Sequence, residues 1–98
     1  MTLHFELEAL EEYRDAAIYS KTRFGLGEDF VQAMEAALET IAHDPALFQL
    51  VGNGVRIFRL KRFPYHLYYH HDAEEEKITI YAVAHHSRRP GYWRKRLR

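Results

Sequence analysis

The polar chemistry of this chain concentrates near its C-terminal end. There Ala82-Val83-Ala84-His85-His86-Ser87-Arg88-Arg89-Pro90-Gly91-Tyr92-Trp93-Arg94-Lys95-Arg96 leaves an apolar run and turns irregular at Pro90-Gly91. His85 carries an imidazole that takes or gives a proton near neutral pH, and Tyr92 carries a phenol. Arg89 is a fixed cation suited to a pentacovalent phosphate. Together these groups are what cleavage of RNA through its own 2′-hydroxyl requires. The same residue types also serve without catalysis, as a basic surface on which Arg88, Arg94, Lys95 and Arg96 meet phosphates or acidic side chains. Trp93 is expected to fold back as a hydrophobic anchor, and residues 94–98 read as a docking tail.

A second cluster, Arg56-Ile57-Phe58-Arg59-Leu60-Lys61-Arg62, puts four cations in seven residues on a predicted strand. Cations on a rigid strand hold phosphates in fixed register. Arg59 and Arg62 also have an ordinary alternative, pairing with helix acids such as Glu35 or Glu39. Next comes Phe63-Pro64-Tyr65-His66-Leu67-Tyr68-Tyr69-His70-His71, dense in aromatics. Alternate aromatics on a central strand fill a core; stacking on bases needs them on an exposed face. Adjacent histidines on a strand point to opposite faces, so neither His70-His71 nor His85-His86 forms a chelating pair, and no metal site is expected.

These residues need a scaffold, and the hydrophobic pattern supplies one. From residue 7 to 24, Leu10, Tyr13, Ala17, Ser20 and Phe24 recur at steps of three and four, which predicts a helix buried along that stripe. Gly25-Leu26-Gly27 interrupts it, and Glu28 and Asp29 open a second helix whose stripe is Phe30, Met34, Ala37, Leu38 and Ile41. His43-Asp44-Pro45 ends that helix, because proline cannot continue the backbone bonding. After a loop holding Gly52-Asn53-Gly54, residues 55–61, 65–71 and 78–85 read as three strands of a meander, turning at Phe63-Pro64 and at residues 72–76. Ile78, Ile80, Ala82 and Ala84 are expected on one face of the last strand. Residues 2–5 are a candidate short edge strand.

Ninety-eight residues make one domain, residues 1–98, of α+β class: an N-terminal α-helical hairpin packed on a small twisted antiparallel sheet. With no cysteine, disulfides, thiolate nucleophiles and thiolate zinc sites are excluded. Residues 1–50 hold ten acids against three bases and residues 51–98 four against eleven, so a net charge of zero conceals an acidic and a basic half. The first residues lack the basic start and apolar core of a secretory signal, and no apolar run approaches membrane-spanning length, so a cytoplasmic location without membrane contact is expected.

The order and spacing of these features resemble the RelE/ParE superfamily of type II toxin-antitoxin toxins, and more closely its ParE-like, plasmid-stabilisation branch. The resemblance spans nearly the whole chain. It is carried by Gly25-Leu26-Gly27 with Phe30, by Ile41 followed by Pro45, by the strand from Arg56 to Leu60, by Arg62-Phe63-Pro64-Tyr65 with Tyr68-Tyr69, and by Ala82-Val83-Ala84-His85 leading through Arg89-Pro90 to Tyr92-Trp93 and Arg96. One branch of the superfamily cleaves mRNA in the ribosomal A site; another poisons DNA gyrase. For an endoribonuclease the resemblance implies His85, Arg89, Tyr92, Arg56 and Lys61 as catalytic positions. For a gyrase poison it implies no covalent chemistry, and Arg59, Arg62, Arg88, Arg94, Lys95 and Arg96 become target-binding residues. The Gly-Leu-Gly hairpin and the Arg-Pro-Gly-Tyr-Trp ending favour the gyrase-directed branch. Either branch implies no cofactor and a cognate antitoxin that forms a hetero-oligomer with the toxin. The antitoxin would lay a helix along the hairpin or add a strand to the sheet edge.

Overall fold

The computed structural model describes residues 1–97. Arg98, the last residue of the expected docking tail, lies outside the described residues. The elements in chain order are β1 (Thr2–Phe5), α1 (Leu7–Phe24), α2 (Gly27–His43), β2 (Leu50–Gly52), β3 (Val55–Arg59), β4 (Tyr65–Asp72), β5 (Lys77–His85) and a 3₁₀ helix (Tyr92–Arg96). The five strands form one sheet in the order β1-β5-β4-β3-β2. β3 to β5 are antiparallel neighbours, as the meander predicts, and β2 adds an unpredicted antiparallel strand beside β3. β1 is the edge strand anticipated at residues 2–5, but it joins β5 in parallel, so the sheet is mixed. A parallel partner needs a long crossover, and here the whole helical hairpin and β2–β4 lie between β1 and β5.

The helices cover one face of the sheet. Phe30, Met34 and Ile41 from α2, Ala9 and Ala16 from α1, and Leu67, Tyr69, Ile78, Ile80 and Val83 from the sheet form the main core. The α1 stripe keeps Ser20 buried and Tyr13 and Ala17 packed against the core, as predicted, but centres on Ala9 and Ala16 and leaves Phe24 out. Its buried residues are Ala9, Ala16 and Ser20. Phe24, expected inside, is 62 % exposed. Small residues let α1 sit close to the sheet, while Phe24 lies in the last turn and meets Tyr19 edge to face at 6.0 Å. Gly25 then closes α1 in the left-handed conformation (φ 69°), which a side chain would resist. Gly27 permits close approach of the two helices, since a Cβ there would stand 2.8 Å from Lys21 Cβ.

The other face carries a smaller cluster of Val55, Ala82 and Trp93 with Tyr68, Tyr92, Val51 and Leu97 around it. A bulge divides β5 between the two cores. Tyr68 faces Ala82 and Tyr69 faces Ile80, which leaves Tyr81 as the extra residue. Alternation therefore reverses at Tyr81. Ile78, Ile80 and Val83 lie under the helices, while Ala82 lies with Trp93, so the expected single face of Ile78, Ile80, Ala82 and Ala84 does not exist. The glycine-rich segment is likewise more ordered than a loop. Asn53 (φ 56°) and Gly54 (φ 74°) make the tight turn that pairs β2 with β3.

Buried phenols tie the layers together. Tyr69 donates a 2.6 Å hydrogen bond to the Pro45 carbonyl and is fully buried. Burial, opposed by the nearby Arg56 cation, pushes its pKa up to about 12. The folded state therefore holds this proton more tightly than the unfolded chain, so the stabilisation is complete below pH 10 and is lost as pH rises through about 12. Tyr13, Tyr65, Tyr68 and Tyr92 are raised as well. Stability should fall steeply above about pH 10. Tyr69→Phe is expected to flatten that fall in a denaturant-midpoint series from pH 8 to 12, relative to its own value at pH 8.

Candidate functional site

The C-terminal segment is held in place by one carboxylate that the sequence reading did not single out. β1 ends at Phe5, beside Ile80, and does not run alongside β5 beyond that residue. Unpaired strand-edge groups need partners when covered by other parts of the chain. Glu12, reaching from α1, accepts the Val83 N–H on Oε1 at 3.0 Å. Arg96, reaching from the 3₁₀ helix, donates to the Tyr81 carbonyl at 2.9 Å. The two side chains also meet each other: Arg96 Nη1 to Glu12 Oε1 is 2.8 Å and Arg96 Nη2 to Oε2 is 3.0 Å, a two-point pair. Tyr92 completes the set by donating its hydroxyl proton to Glu12 Oε2 at 2.8 Å. The pair thus takes the place of a missing neighbouring strand.

Burial gives this clasp its weight. The Arg96 side chain is 9 % exposed and that of Glu12 is 17 % exposed. The hydrogen bond and charge of Glu12 raise the Arg96 pKa against the opposing effect of burial. The Tyr92 phenol is pushed far up by burial, then by the hydrogen bond to Glu12 and its charge, against the pull of Arg96 and Arg88. A phenol so held is a poor proton donor at neutral pH. Trp93, 1 % exposed, packs over Tyr68 with ring centroids 5.2 Å apart and is the anchor the sequence predicted.

The remaining candidates divide among several locations. A cleft of about 370 Å³ is lined by Glu8, Arg88, Arg89, Gly91, Tyr92, Lys95 and Arg96. Arg88 spreads its guanidinium over the Tyr92 ring at 3.8 Å and lies 3.9 Å from Glu12. Arg89 and Lys95 are exposed. His85 is not among the lining residues. Its Nδ1 accepts the Ser87 N–H at 3.1 Å and lies 2.7 Å from Ser87 Oγ, and its ring meets those of Tyr65 and His86. Arg56 lies on the helix side of the sheet and donates to the Phe48 carbonyl at 2.6 Å, a structural bond. Arg59 reaches Gln49 at 3.3 Å, and Arg62 pairs loosely with Asp29 at 3.7 Å rather than with Glu35 or Glu39. Lys61 is exposed in the turn after β3. Arg94 donates to Asn53 Oδ1 at 3.3 Å and lies 5.4 Å from the Trp93 ring centre. The structure therefore gathers Arg88, Arg89, Tyr92, Lys95 and Arg96 and separates from them His85, Arg56, Arg59, Lys61, Arg62 and Arg94. Arg96 belongs to the clasp, not to a free tail.

With this geometry established, comparison with known proteins fixes the family. The model for "ParE toxin of type II toxin-antitoxin system, parDE" matches residues 3–90. The chain belongs to the ParE toxin family. A solved structure titled "Chromosomal ParDE TA system from P. aeruginosa" is similar in fold, with a TM-score of 0.63 at 16 % identity over 87 % of this chain and 95 % of that one. A search among curated protein sequences gave no match. The family match ends at residue 90, so it includes Glu12, Arg88 and Arg89 but stops short of the 3₁₀ helix. The signal that would have disclosed Glu12 in this ParE-family sequence is an acid at the helical spacing of Ala9, Tyr13 and Ala16, on the buried side of α1.

Proposed function

We propose that this ParE-family chain is a growth-arresting toxin that poisons DNA gyrase by docking, without chemistry of its own, and that a cognate antitoxin binds and neutralises it. The observation that carries this reading is the use of Tyr92. Its hydroxyl is committed to Glu12, leaving the cleft lined by cations and Glu8 with no free acid-base pair. An endoribonuclease of this ancestry would want His85, Arg89 and Tyr92 around one phosphate, and His85 lies outside the cleft lining. Ile18, Tyr19 and Phe24 stay exposed on α1, which suits an apolar segment of an antitoxin in a hetero-oligomer. Among the described residues no helix is long and apolar enough to cross a membrane, and this reading puts the toxin's action in the cytoplasm, where gyrase works.

Expression in a sensitive host tests this reading. His85→Ala is expected to arrest growth as fully as the parent chain, with filamentation and induction of the DNA-damage response. Loss of arrest on that single change, with message cut at ribosomes by the parent, would establish the nuclease reading instead.

A further inference from the structure

The cationic cleft has one further consequence. Five of the fourteen arginines and lysines already have partners among the described residues: Arg56 has the Phe48 carbonyl, Arg59 has Gln49, Arg62 has Asp29, Arg94 has Asn53 and Arg96 has Glu12. Arg89 and Lys95 have no acid partner among the described residues, and Arg88 touches Glu12 only at 3.9 Å. All three line the same cleft. The acid that lines it, Glu8, and the neighbouring Glu12 do not cancel them. Glu12 is already covered by Val83, Tyr92 and Arg96, while Glu8 lies 3.7 Å from Arg96 Nε at the rim.

One wall of the cleft is restrained. The Arg88 guanidinium carbon lies 3.8 Å from the centre of the Tyr92 ring, whose hydroxyl is tied to Glu12, so the ring that Arg88 rests on is held before any ligand arrives. We infer that this cleft binds the sugar-phosphate backbone of duplex DNA, with Arg88, Arg89 and Lys95 as the three contacts. The inference rests on the gyrase reading, since it names the DNA held by that enzyme as part of what the toxin grips. An acidic peptide fits less well. Peptide grooves anchor apolar or aromatic side chains in pockets, whereas the one ring lining this cleft is covered by Arg88. A volume of about 370 Å³ lined by charge accommodates a phosphate and its flanking sugars rather than a helix. Backbone binding of this kind is insensitive to sequence and sensitive to salt.

A titration of the isotopically labelled full chain with a 12-base-pair duplex at low salt tests it, with no gyrase present. Amide shifts are expected at residues 88–96 and not around Arg59 or Arg62, with log K falling against log salt at a slope of about −3, as three phosphate contacts require. R88A/R89A/K95A should lose at least tenfold in affinity, and the exposed α1 control Arg23→Ala should lose nothing. No binding, binding mapped to the β3 cations, an unaltered affinity in the triple variant, or tighter binding of a glutamate-rich peptide than of the duplex would each overturn the assignment. Should the duplex bind as expected while purified gyrase is untouched by the toxin, the cleft assignment stands and the gyrase reading falls.

Discussion

Glu12→Ala is expected to cost about 3 kcal/mol, the scale for breaking a largely buried ion pair by removing one partner. For a chain of this size that is a fall of roughly 15 °C in thermal midpoint. The loss is large because one side chain serves four donors. Val83 N–H and the Tyr92 hydroxyl lose their acceptor, and the Arg96 guanidinium stays buried with the Tyr81 carbonyl, the Tyr92 ring and the half-exposed Glu8 at 3.7 Å beside it. Glu12→Gln keeps the shape but not the charge and should lose about half as much. Amide exchange locates the effect: Val83 should exchange faster in Glu12→Ala at matched global stability, because its partner is gone. An exposed ion pair would be worth about 1 kcal/mol or less, so a midpoint within a few degrees of the parent would contradict the clasp.

Trp93→Ala is expected to cost about 3–5 kcal/mol, the range for deleting a buried aromatic from a packed core. The indole fills the second cluster between Val55, Ala82 and Tyr68, and it is the one large side chain of that cluster that is fully buried. Trp93→Phe should be far milder, because the indole N–H has no acceptor among the described residues and only area is lost. Trp93 is the sole tryptophan of the sequence, so its fluorescence reports the docking of the 3₁₀ helix directly. In urea the parent should show an emission red shift that coincides with global unfolding. An earlier shift would mean that the C-terminal segment detaches before the rest.

Much of this fold is legible in the residues. The alternation in residues 65–71 and the break at Gly25-Leu26-Gly27 lead to β4 and to the hairpin, because each depends on a local period or a local steric rule. What escaped was set by tertiary contact. The bulge at Tyr81 has no sequence signature in an unbroken apolar run, and it redirects every side chain after it. The Asn53-Gly54 turn is different: that dipeptide is a strong hairpin signal, and the short β2 before it was obscured by Gly52. In the site, the cationic ending and the anchoring role of Trp93 could be read directly, but the partner of each cation could not. Arg96 looked like one more charge in a tail until Glu12, 84 residues earlier, was found beneath it. Long side chains choose among distant partners, and composition carries no record of that choice.

As a gyrase poison of the kind proposed, the chain docks its C-terminal cleft on gyrase engaged with DNA and performs no bond cleavage itself. Purified gyrase, plasmid and ATP with the parent chain and with R88A/R89A/K95A test it most directly. The parent is expected to accumulate linear plasmid covalently attached to gyrase, and the triple variant to lose at least tenfold of that effect while melting at the parent temperature. Intact plasmid with both proteins, alongside message cut by the parent on programmed ribosomes, would instead make the chain a nuclease.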